Sequence, residues 1–353
     1  MKKNFLITTG GSGGHVVPAT ILYDHLKSER NIIITTDKRG LKYLDENNDK
    51  IELINTPKLN NIFLLPINLI RVLFLIIKSF FLLKFQKVEK VFSTGGYMSL
   101  PLLFAAKILR LDIYLIEPNQ VLGRSNKFFL SSCKKIFCYS DQIKNYPLKL
   151  KNKIVVINPL VRKKIYELKA SKKKDKFSLL VVGGSQGASI FDQKLKDAII
   201  NVSKITSIKI VQQTAQKNIS NLSDLYNENN IENKIFNFDE NFISTINEID
   251  LCITRAGAST LAELSFLNIP FITVPLPSSR DNHQLENAIF YENNDCCWII
   301  KQNDFEEKIE ELLKYILEER SDYLKKKENL KRLNYQNTWI NVNQKILEII
   351  NEN

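Results

Sequence analysis

The 353-residue sequence has little of what metal centres and disulfide frameworks require, with only three histidines and five cysteines. The cysteine count is odd and no pair has the spacing of zinc ligands. This argues against a disulfide-rich secreted fold or a zinc module and for reduced, mostly buried thiols. The sequence also has no Asp-x-Asp motif. We therefore expect no tightly bound metal and no cofactor.

The sequence also lacks a secretory leader and a nucleic-acid motif. Its first residues run directly into a short apolar run, without the long apolar region and cleavage site of a signal peptide. The formal net charge is +12, which suits anionic lipid, a polyphosphate ligand or nucleic acid. We expect a cytosolic protein without a nucleic-acid partner.

Two glycine-rich stretches each follow an apolar run and open a helical pattern: residues 10–15 (GGSGGH) and residues 183–188 (GGSQGA). A strand, a tight glycine turn and a helix N-terminus together make a phosphate site. The first stretch is not a Walker loop, which would end in Gly-Lys-Ser/Thr. It is not a dinucleotide fingerprint either, because Val16 stands where that motif needs glycine. ATPase and dehydrogenase functions are therefore disfavoured.

Short β-rich runs alternate with longer amphipathic segments through both halves of the chain, which indicates βαβ units and parallel sheets. The fold class is therefore α/β, with two similar domains that hold a phosphate-bearing ligand between them. A lysine-rich linker is expected from Lys163 to Lys176. The predicted strands are residues 5–8, 32–35, 88–92, 113–116, 136–139, 155–157, 179–182, 208–212, 235–238, 251–254, 271–274 and 298–300.

Candidate functional residues follow several of these strands, at the edge where open α/β sheets bind ligands. His15 opens the first helix, whose N-terminus would keep the imidazole neutral and able to act as a general base. A structural histidine that caps the turn is the alternative. The Gly95-Gly96-Tyr97 turn and the Glu117-Pro118-Asn119 turn lie on the same edge.

The second half offers a matching set. Ser185 and Gln186 stand where a diphosphate would meet a helix N-terminus. Glu263 has two interpretations, a ribose-binding carboxylate or the partner of Thr260 in a capping box. Residues 281–288 (DNHQLENA) offer amide and carboxylate groups that suit a hydroxyl-rich ligand.

One segment, from Ile62 to Phe85, is long and apolar enough for a membrane span. Its polar residues fall on one narrow helical stripe, which leaves a wide apolar face. A buried helix that covers a sheet and a helix that lies in a membrane interface both fit, and interface contact is the sharper hypothesis. A true span is disfavoured because it would interrupt the βαβ order. The stripe contains Asn68, Arg71, Lys78, Ser79 and Gln86.

Seven motifs in this order resemble the MurG family of peptidoglycan glycosyltransferases, glycosyltransferase family 28. They are GGSGGH, GGYMSLP (95–101), EPN, NPLVR (158–162), GGSQGA, TRAGAST-x-x-E (254–263) and D-x-H-Q-x-x-N-A. The resemblance covers almost the whole chain and implies a GT-B fold, two Rossmann-like domains with parallel sheets facing a cleft. The first domain would span residues 1–161 and include a C-terminal helix near 338–353, and the second would span 162–337.

The resemblance implies an inverting transferase that moves GlcNAc from UDP-GlcNAc to the C4 hydroxyl of MurNAc in undecaprenyl-diphospho-MurNAc-pentapeptide, for cell-wall synthesis. His15 would be the base, and Gly95, Gly96 and Tyr97 would face the acceptor and its diphosphate. The segment from Ile62 to Phe85 would contact the anionic cytoplasmic face of the inner membrane peripherally. The residues implied at UDP-GlcNAc are Ser12, Gly13, Gly14, Asn119, Arg162, Ser185, Gln186, Gly187, Glu263 and Gln284, with His283 nearby.

The sequence departs from the family pattern at three places. Ile116 and Pro118 replace a usual His and Gln, one extra residue precedes Arg162, and Ser12 replaces a frequent Thr. Two other function classes stay open. A UDP-GlcNAc 2-epimerase can share the architecture, although the apolar segment would then have no evident role, and a non-catalytic nucleotide-binding scaffold is the third hypothesis.

Overall fold

The computed structural model describes residues 4–44, 50–57, 63–168, 176–183, 189–237, 239 and 242–352. Its contacts divide the chain into two units, residues 1–160 with 338–353 and residues 161–337. The expected linker from Lys163 is wrong at its start. Residues 163–166 form a short helix whose Ile165 is buried in the core of the second unit. Residues 169–175 of that linker lie outside the described residues.

The first unit contains the strands β1 (Asn4–Thr8), β2 (Asn31–Thr36), β3 (Lys50–Leu53), β4 (Val88–Ser93), β5 (Asp112–Glu117), β6 (Lys135–Cys138) and β7 (Ile154–Val156). The described strands form one parallel sheet in the order β3-β2-β1-β4-β5-β6-β7. The six predicted strands are confirmed to within a residue or two. β3 was not predicted, because its sequence KIEL is short, lies at the sheet edge and is half charged.

Helices cover both faces of this sheet. Phe5 and Ile7 of β1 pack in the apolar cluster on one face, with Leu22, whereas Leu6 packs in the opposite cluster with Leu102. The sheet is therefore the middle of three layers. The helices are α1 (Gly13–Leu26), α2 (Lys38–Leu41), α3 (Leu65–Phe85), α4 (Leu100–Ile108) and α5 (Arg124–Phe129).

The second unit repeats the plan with a six-stranded parallel sheet in its described residues. Its strands are β8 (Phe177–Val182), β9 (Ile208–Gln213), β10 (Glu232–Phe236), β11 (Leu251–Thr254), β12 (Phe271–Thr273) and β13 (Cys297–Ile299), in the order β10-β9-β8-β11-β12-β13. All six match predicted strands, although residue 238 of the third is not described. The helices are α6 (Lys163–Tyr166), α7 (Ser189–Lys194), α8 (Lys196–Ser203), α9 (Ile219–Glu228), α10 (Phe242–Ile246), α11 (Ala258–Phe266), α12 (His283–Asn293), α13 (Phe305–Glu318) and α14 (Arg320–Leu333).

The last helix, α15 (Trp339–Asn351), belongs to the first unit. Thr338 caps it by accepting the Asn341 N–H at 3.1 Å. Its apolar stripe, which includes Ile346, is buried in the cluster that also contains Leu22. The Trp339 ring stacks on the imidazole of His25 with centroids 3.6 Å apart. This helix therefore completes the core on the α1 side of the first sheet.

Both sheets have a topological switch point. β1 lies between β2 and β4, and β8 lies between β9 and β11, so the chain leaves each central strand on one side and returns on the other. The loops after β1 and β4 diverge at the carboxyl edge of the first sheet. This is where open α/β sheets bind their ligands.

Candidate functional site

Two glycine turns meet at the switch point of the first sheet. Gly11 after β1, and Gly95 and Gly96 after β4, have φ values of 88°, 84° and 81°, a region that glycine adopts without strain. The hydroxyl of Thr94 donates to the Thr9 hydroxyl at 2.8 Å and ties the two turns together beneath this surface. The paired turns let a ligand approach the backbone closely.

His15 lies in the first turn of α1 and contacts the second glycine turn. Its Nδ1 is 2.8 Å from the carbonyl oxygen of Thr94. Because a carbonyl only accepts, Nδ1 carries the proton and Nε2 is the accepting nitrogen of the neutral ring. A Cβ added to Gly96 would lie 3.3 Å from the ring Cδ2 and 3.5 Å from Nε2. The imidazole is thus held beside the turn in the tautomer that a general base needs.

Asp37, directly after β2, organises the first glycine turn and was missed in the sequence. Its Oδ1 accepts the backbone N–H groups of Gly11 at 2.8 Å and Gly40 at 2.9 Å. Burial acts to raise the pKa of this carboxyl, but these bonds and the Arg39 guanidinium together lower it below its ordinary value. An ionised Asp37 therefore fixes the shape of the turn.

Arg39 joins the first glycine turn to the second. Its Nε donates to Asp37 Oδ2 at 2.8 Å, and its Nη2 donates to the Tyr97 hydroxyl at 2.7 Å. The guanidinium also lies 5.7 Å from the centroid of the Tyr97 ring. Arg39 belongs to no sequence motif, so only the structure shows that a cation lies between the two turns.

Glu117 holds the third turn of this edge. The buried carboxylate accepts the backbone and side-chain N–H groups of Asn119 together with N–H groups of Gly123 and Asn126. Burial raises the pKa of Glu117, although these bonds oppose the shift. The Asn126 amide also lies beside Gly95, because a Cβ added to Gly95 would meet it at 3.3 Å. Asn119, a predicted site residue, is therefore positioned by Glu117.

The structure shows the surroundings of Ile116, one of the two residues that depart from the family pattern in the third turn. Ile116 is 1% exposed and packs in the core with Phe92. The histidine that the family usually has at this position is thus replaced by a core residue. Asn119 keeps its place in the turn because Glu117 holds it.

Arg162 and Glu263 of the second unit form a bidentate ion pair. Nε of Arg162 donates to Oε1 at 2.6 Å and Nη2 donates to Oε2 at 2.7 Å. The capping-box interpretation of Glu263 is wrong, because Gly257 is the N-cap of α11 and Thr260 lies inside the helix. The extra residue before Arg162 therefore does not keep it away from Glu263.

The start of α12 carries the remaining predicted sugar-binding residues. The Gln284 Oε1 accepts the Leu276 N–H at 2.9 Å, and Nδ1 of His283 lies 2.8 Å from the Arg280 carbonyl oxygen. Asp281 and Asn282 before them have φ values of 51° and 54°, a strained pair for residues other than glycine. This geometry fixes how the helix begins.

Ser185, Gln186 and Gly187 of the second glycine stretch lie outside the described residues. The helix that follows them, α7, is anchored by Asp192. That carboxylate accepts the side chains of Gln212, Thr214 and Asn218 at 3.1, 2.6 and 2.9 Å. Among the residues that the structure does describe, no group of three or more His, Cys, Asp or Glu side chains is placed to hold a metal ion.

Helix α3 has its apolar face outward. Asn68 and Ser79 of the predicted polar stripe are buried against the unit, whereas Ile70 and Phe74 are exposed. The helix is long and apolar enough to cross a membrane, yet it connects β3 to β4 of the same sheet, as a crossover helix does. Its outward face is an apolar surface of the first unit.

Comparison with known proteins identifies the family. The model of the glycosyltransferase family 28 N-terminal domain matches residues 5–138, and that of the C-terminal domain matches residues 178–338. The chain is 47% identical, over the full length of both, to the UDP-N-acetylglucosamine–N-acetylmuramyl-(pentapeptide) pyrophosphoryl-undecaprenol N-acetylglucosamine transferase of Pelagibacter ubique. It is 37% identical to the transferase of the same name from Rickettsia canadensis, over 86% of this chain and 87% of that one.

Solved structures share the fold. The MurG of Acinetobacter baumannii superposes with a TM-score of 0.78 at 23% identity, over 99% of each chain. The UDP-GlcNAc 2-epimerase of Neisseria meningitidis, bound to UDP-GlcNAc, gives 0.68 at 12% identity, over 99% of this chain and 100% of that one. At these identities the likeness concerns architecture alone, and the two units are the two parallel-sheet domains of the GT-B fold.

Proposed function

Because the chain belongs to glycosyltransferase family 28, we propose that it transfers N-acetylglucosamine from UDP-GlcNAc to undecaprenyl-diphospho-N-acetylmuramyl-pentapeptide. The relatives named for this reaction match over the whole chain, whereas the epimerase likeness is confined to the fold. The structural observation that carries the proposal is the bond between His15 Nδ1 and the Thr94 carbonyl, because it sets Nε2 as a proton acceptor.

The chemical step is a displacement at the anomeric carbon with inversion. The C4 hydroxyl oxygen of the muramyl sugar forms a bond to C1 of GlcNAc while the bond from C1 to the β-phosphate oxygen breaks. The hydroxyl proton goes to Nε2 of His15, and the electron pair of the broken bond leaves with UDP. Gly95, Gly96 and Tyr97 would line the acceptor side. Ser12, Gly13 and Gly14 stay a prediction for UDP-GlcNAc.

The donor is assigned mainly to the second unit. Glu263 would accept hydrogen bonds from the ribose hydroxyls, and Arg162 would hold that carboxylate in place. Gln284 would contact the GlcNAc hydroxyls, and Asn119 stays a prediction for orienting the sugar or base. Ser185 and Gln186 stay a prediction for the diphosphate, whose growing charge a helix N-terminus would stabilise.

We also assign the protein to the cytoplasmic face of the plasma membrane. The outward face of α3 would lie in the interface, and the exposed Arg71 and Lys78 would reach anionic headgroups. A lipid-linked acceptor makes such contact useful, since its diphosphate stays at the membrane surface.

The test is a transfer assay with UDP-GlcNAc and a short-chain lipid-linked muramyl-peptide, with UDP release and product both measured. His15→Asn keeps a donor to the Thr94 carbonyl but removes the base. It should lower kcat by about 10²- to 10⁴-fold while binding UDP-GlcNAc normally. Turnover near the wild-type rate would remove His15 from the mechanism. Epimerised sugar from the donor alone would favour the epimerase, and no conversion at all would favour the scaffold.

A further inference from the structure

Arg39 is a preorganised cation at the meeting of the two glycine turns. Its side chain is 48% exposed, yet the guanidinium is fixed by Asp37 on one side and by the Tyr97 hydroxyl on the other. An exposed arginine normally loses rotamer freedom when it binds a ligand. Here most of that ordering is already present in the protein.

The contacts of Arg39 leave donors for a ligand. They use Nε and Nη2, and within the described part of the chain Nη1 has no hydrogen-bond partner. The neighbouring Asp37 carboxylate divides its hydrogen bonds between Arg39 and the N–H groups of Gly11 and Gly40. A planar guanidinium with N–H groups to spare is suited to phosphate oxygens.

The missing side chains of the glycine turns open space next to this cation. A Cβ added to Gly11 would lie only 3.6 Å from Nη2 of Arg39, so the backbone of the first turn passes directly beside it. On the other side Tyr97 follows Gly96, whose φ of 81° belongs to the second turn. An anion that lies over both turns therefore meets the guanidinium.

We propose that Arg39 binds the diphosphate of the lipid-linked acceptor, an inference that rests on the proposed transferase function. The donor also carries a diphosphate, but the residues expected to hold that group, Ser185 and Gln186, belong to the second unit, whereas Arg39 belongs to the first. Arg39 is thus a substrate-binding residue that sets affinity for the acceptor. A purely structural role, holding Asp37 in place, is the competing explanation.

Steady-state kinetics separates the two explanations. Arg39→Gln should raise the acceptor KM at least about tenfold and change the UDP-GlcNAc KM less than about twofold. Arg39→Lys, which keeps the charge without the fork, should fall between this variant and the wild type. Lys38→Gln is the matched control, because it removes an exposed neighbouring charge and should leave both constants unchanged. An equal rise in both KM values, or a rise for the donor alone, would overturn the proposal.

Inorganic pyrophosphate gives a readout that does not depend on turnover. It should inhibit the wild type competitively against the acceptor, and calorimetry should show its binding weakened at least about tenfold in Arg39→Gln. Equal binding to the two proteins, or binding to neither, would remove Arg39 from the diphosphate site even if transfer is observed. If the wild type binds pyrophosphate through Arg39 but transfers no sugar, the proposed function fails and the anion site stands. Should Arg39→Gln not fold, Arg39→Lys carries both measurements.

Discussion

The guanidinium of Arg162 and the carboxylate of Glu263 meet edge to edge, with two hydrogen bonds of 2.6 and 2.7 Å. The Glu263 side chain is only 6% exposed, whereas that of Arg162 is 36% exposed. Arg162 therefore fixes the orientation of the Glu263 carboxylate. A ribose that bound Glu263 would meet a hydrogen-bond acceptor oriented by a residue 101 positions earlier in the chain.

Breaking this pair should weaken donor binding, and the losses should not add. Glu263→Gln replaces one accepting oxygen by an amide, and Arg162→Lys replaces the fork by a point charge. We expect each variant to raise the UDP-GlcNAc KM about tenfold and the double variant little more, because the pair is already broken. Glu232→Gln, which cuts the exposed ion pair with Lys176, is the control. Additive losses in calorimetric titrations would mean that the two residues act separately.

Gly40→Ala should destabilise the first unit and loosen the first glycine turn. The added Cβ would lie 2.2 Å from Thr36 Oγ1 and 3.2 Å from the Gly10 Cα, so strand and turn must shift. We expect a loss of about 1–3 kcal/mol in the free energy of unfolding. Gly257→Ala is the control, because its nearest neighbour would be 4.0 Å away. Equal melting temperatures for the two variants would contradict this packing.

His25 should make the protein less stable in mild acid. Burial lowers the pKa of this imidazole from 6.5 to about 3, so as the pH falls below 6.5 the unfolded chain binds a proton that the folded chain does not. Above pH 6.5 the neutral His25 does not reduce the free energy of unfolding. Between pH 6.5 and about pH 3 the free energy of unfolding falls by about 1.4 kcal/mol per pH unit.

Thermal unfolding between pH 7.5 and 4.5 measures this effect. His25→Gln loses the stacking on Trp339 at every pH but has no proton to gain. The stability gap between the wild type and this variant should therefore narrow as the pH falls. A gap for His25→Gln that does not change with pH would show that His25 is not buried in its neutral form.

The outward face of α3 should be required for binding to membranes. Ile70 and Phe74 are 69% and 66% exposed, so Ile70→Glu with Phe74→Glu should leave the fold intact while placing charge in the interface. We expect flotation with anionic vesicles to be lost. Ile205→Glu with Leu324→Glu, at two positions that are each 58% exposed in the second unit, is the matched control. Flotation that survives the α3 changes would place the membrane contact elsewhere.

The sequence was sufficient for twelve of the thirteen described strands and for the glycine turns of the first unit. A parallel strand buried on both faces is a continuous apolar run, and a turn that needs positive φ selects glycine, so both leave a local pattern. β3 leaves no such pattern, because two of its four residues are charged and it lies at the sheet edge.

Contacts between turns that are far apart in the chain could not be predicted from the sequence. Arg39 lies on a four-residue helix and Asp37 is its N-cap, and neither belongs to a motif. Their importance comes from Gly11 and Tyr97, which are near only in the fold. The capping box failed for a related reason. Thr260 fits the pattern, but α11 begins earlier, at Ala258 with Gly257 as its N-cap, and Glu263 pairs with Arg162 instead.

Helix α15 has a consequence for the order in which the protein forms. The stripe that buries Val342 and Ile350 against the first unit is synthesised only after all 177 residues of the second unit, 161–337. Until then Leu22 and its neighbours on α1 have an uncovered apolar surface. The amino-terminal unit can therefore finish folding only after the carboxyl-terminal unit has been synthesised. A chain that stops before Trp339 would keep this apolar surface exposed, where chaperones or proteases would recognise it.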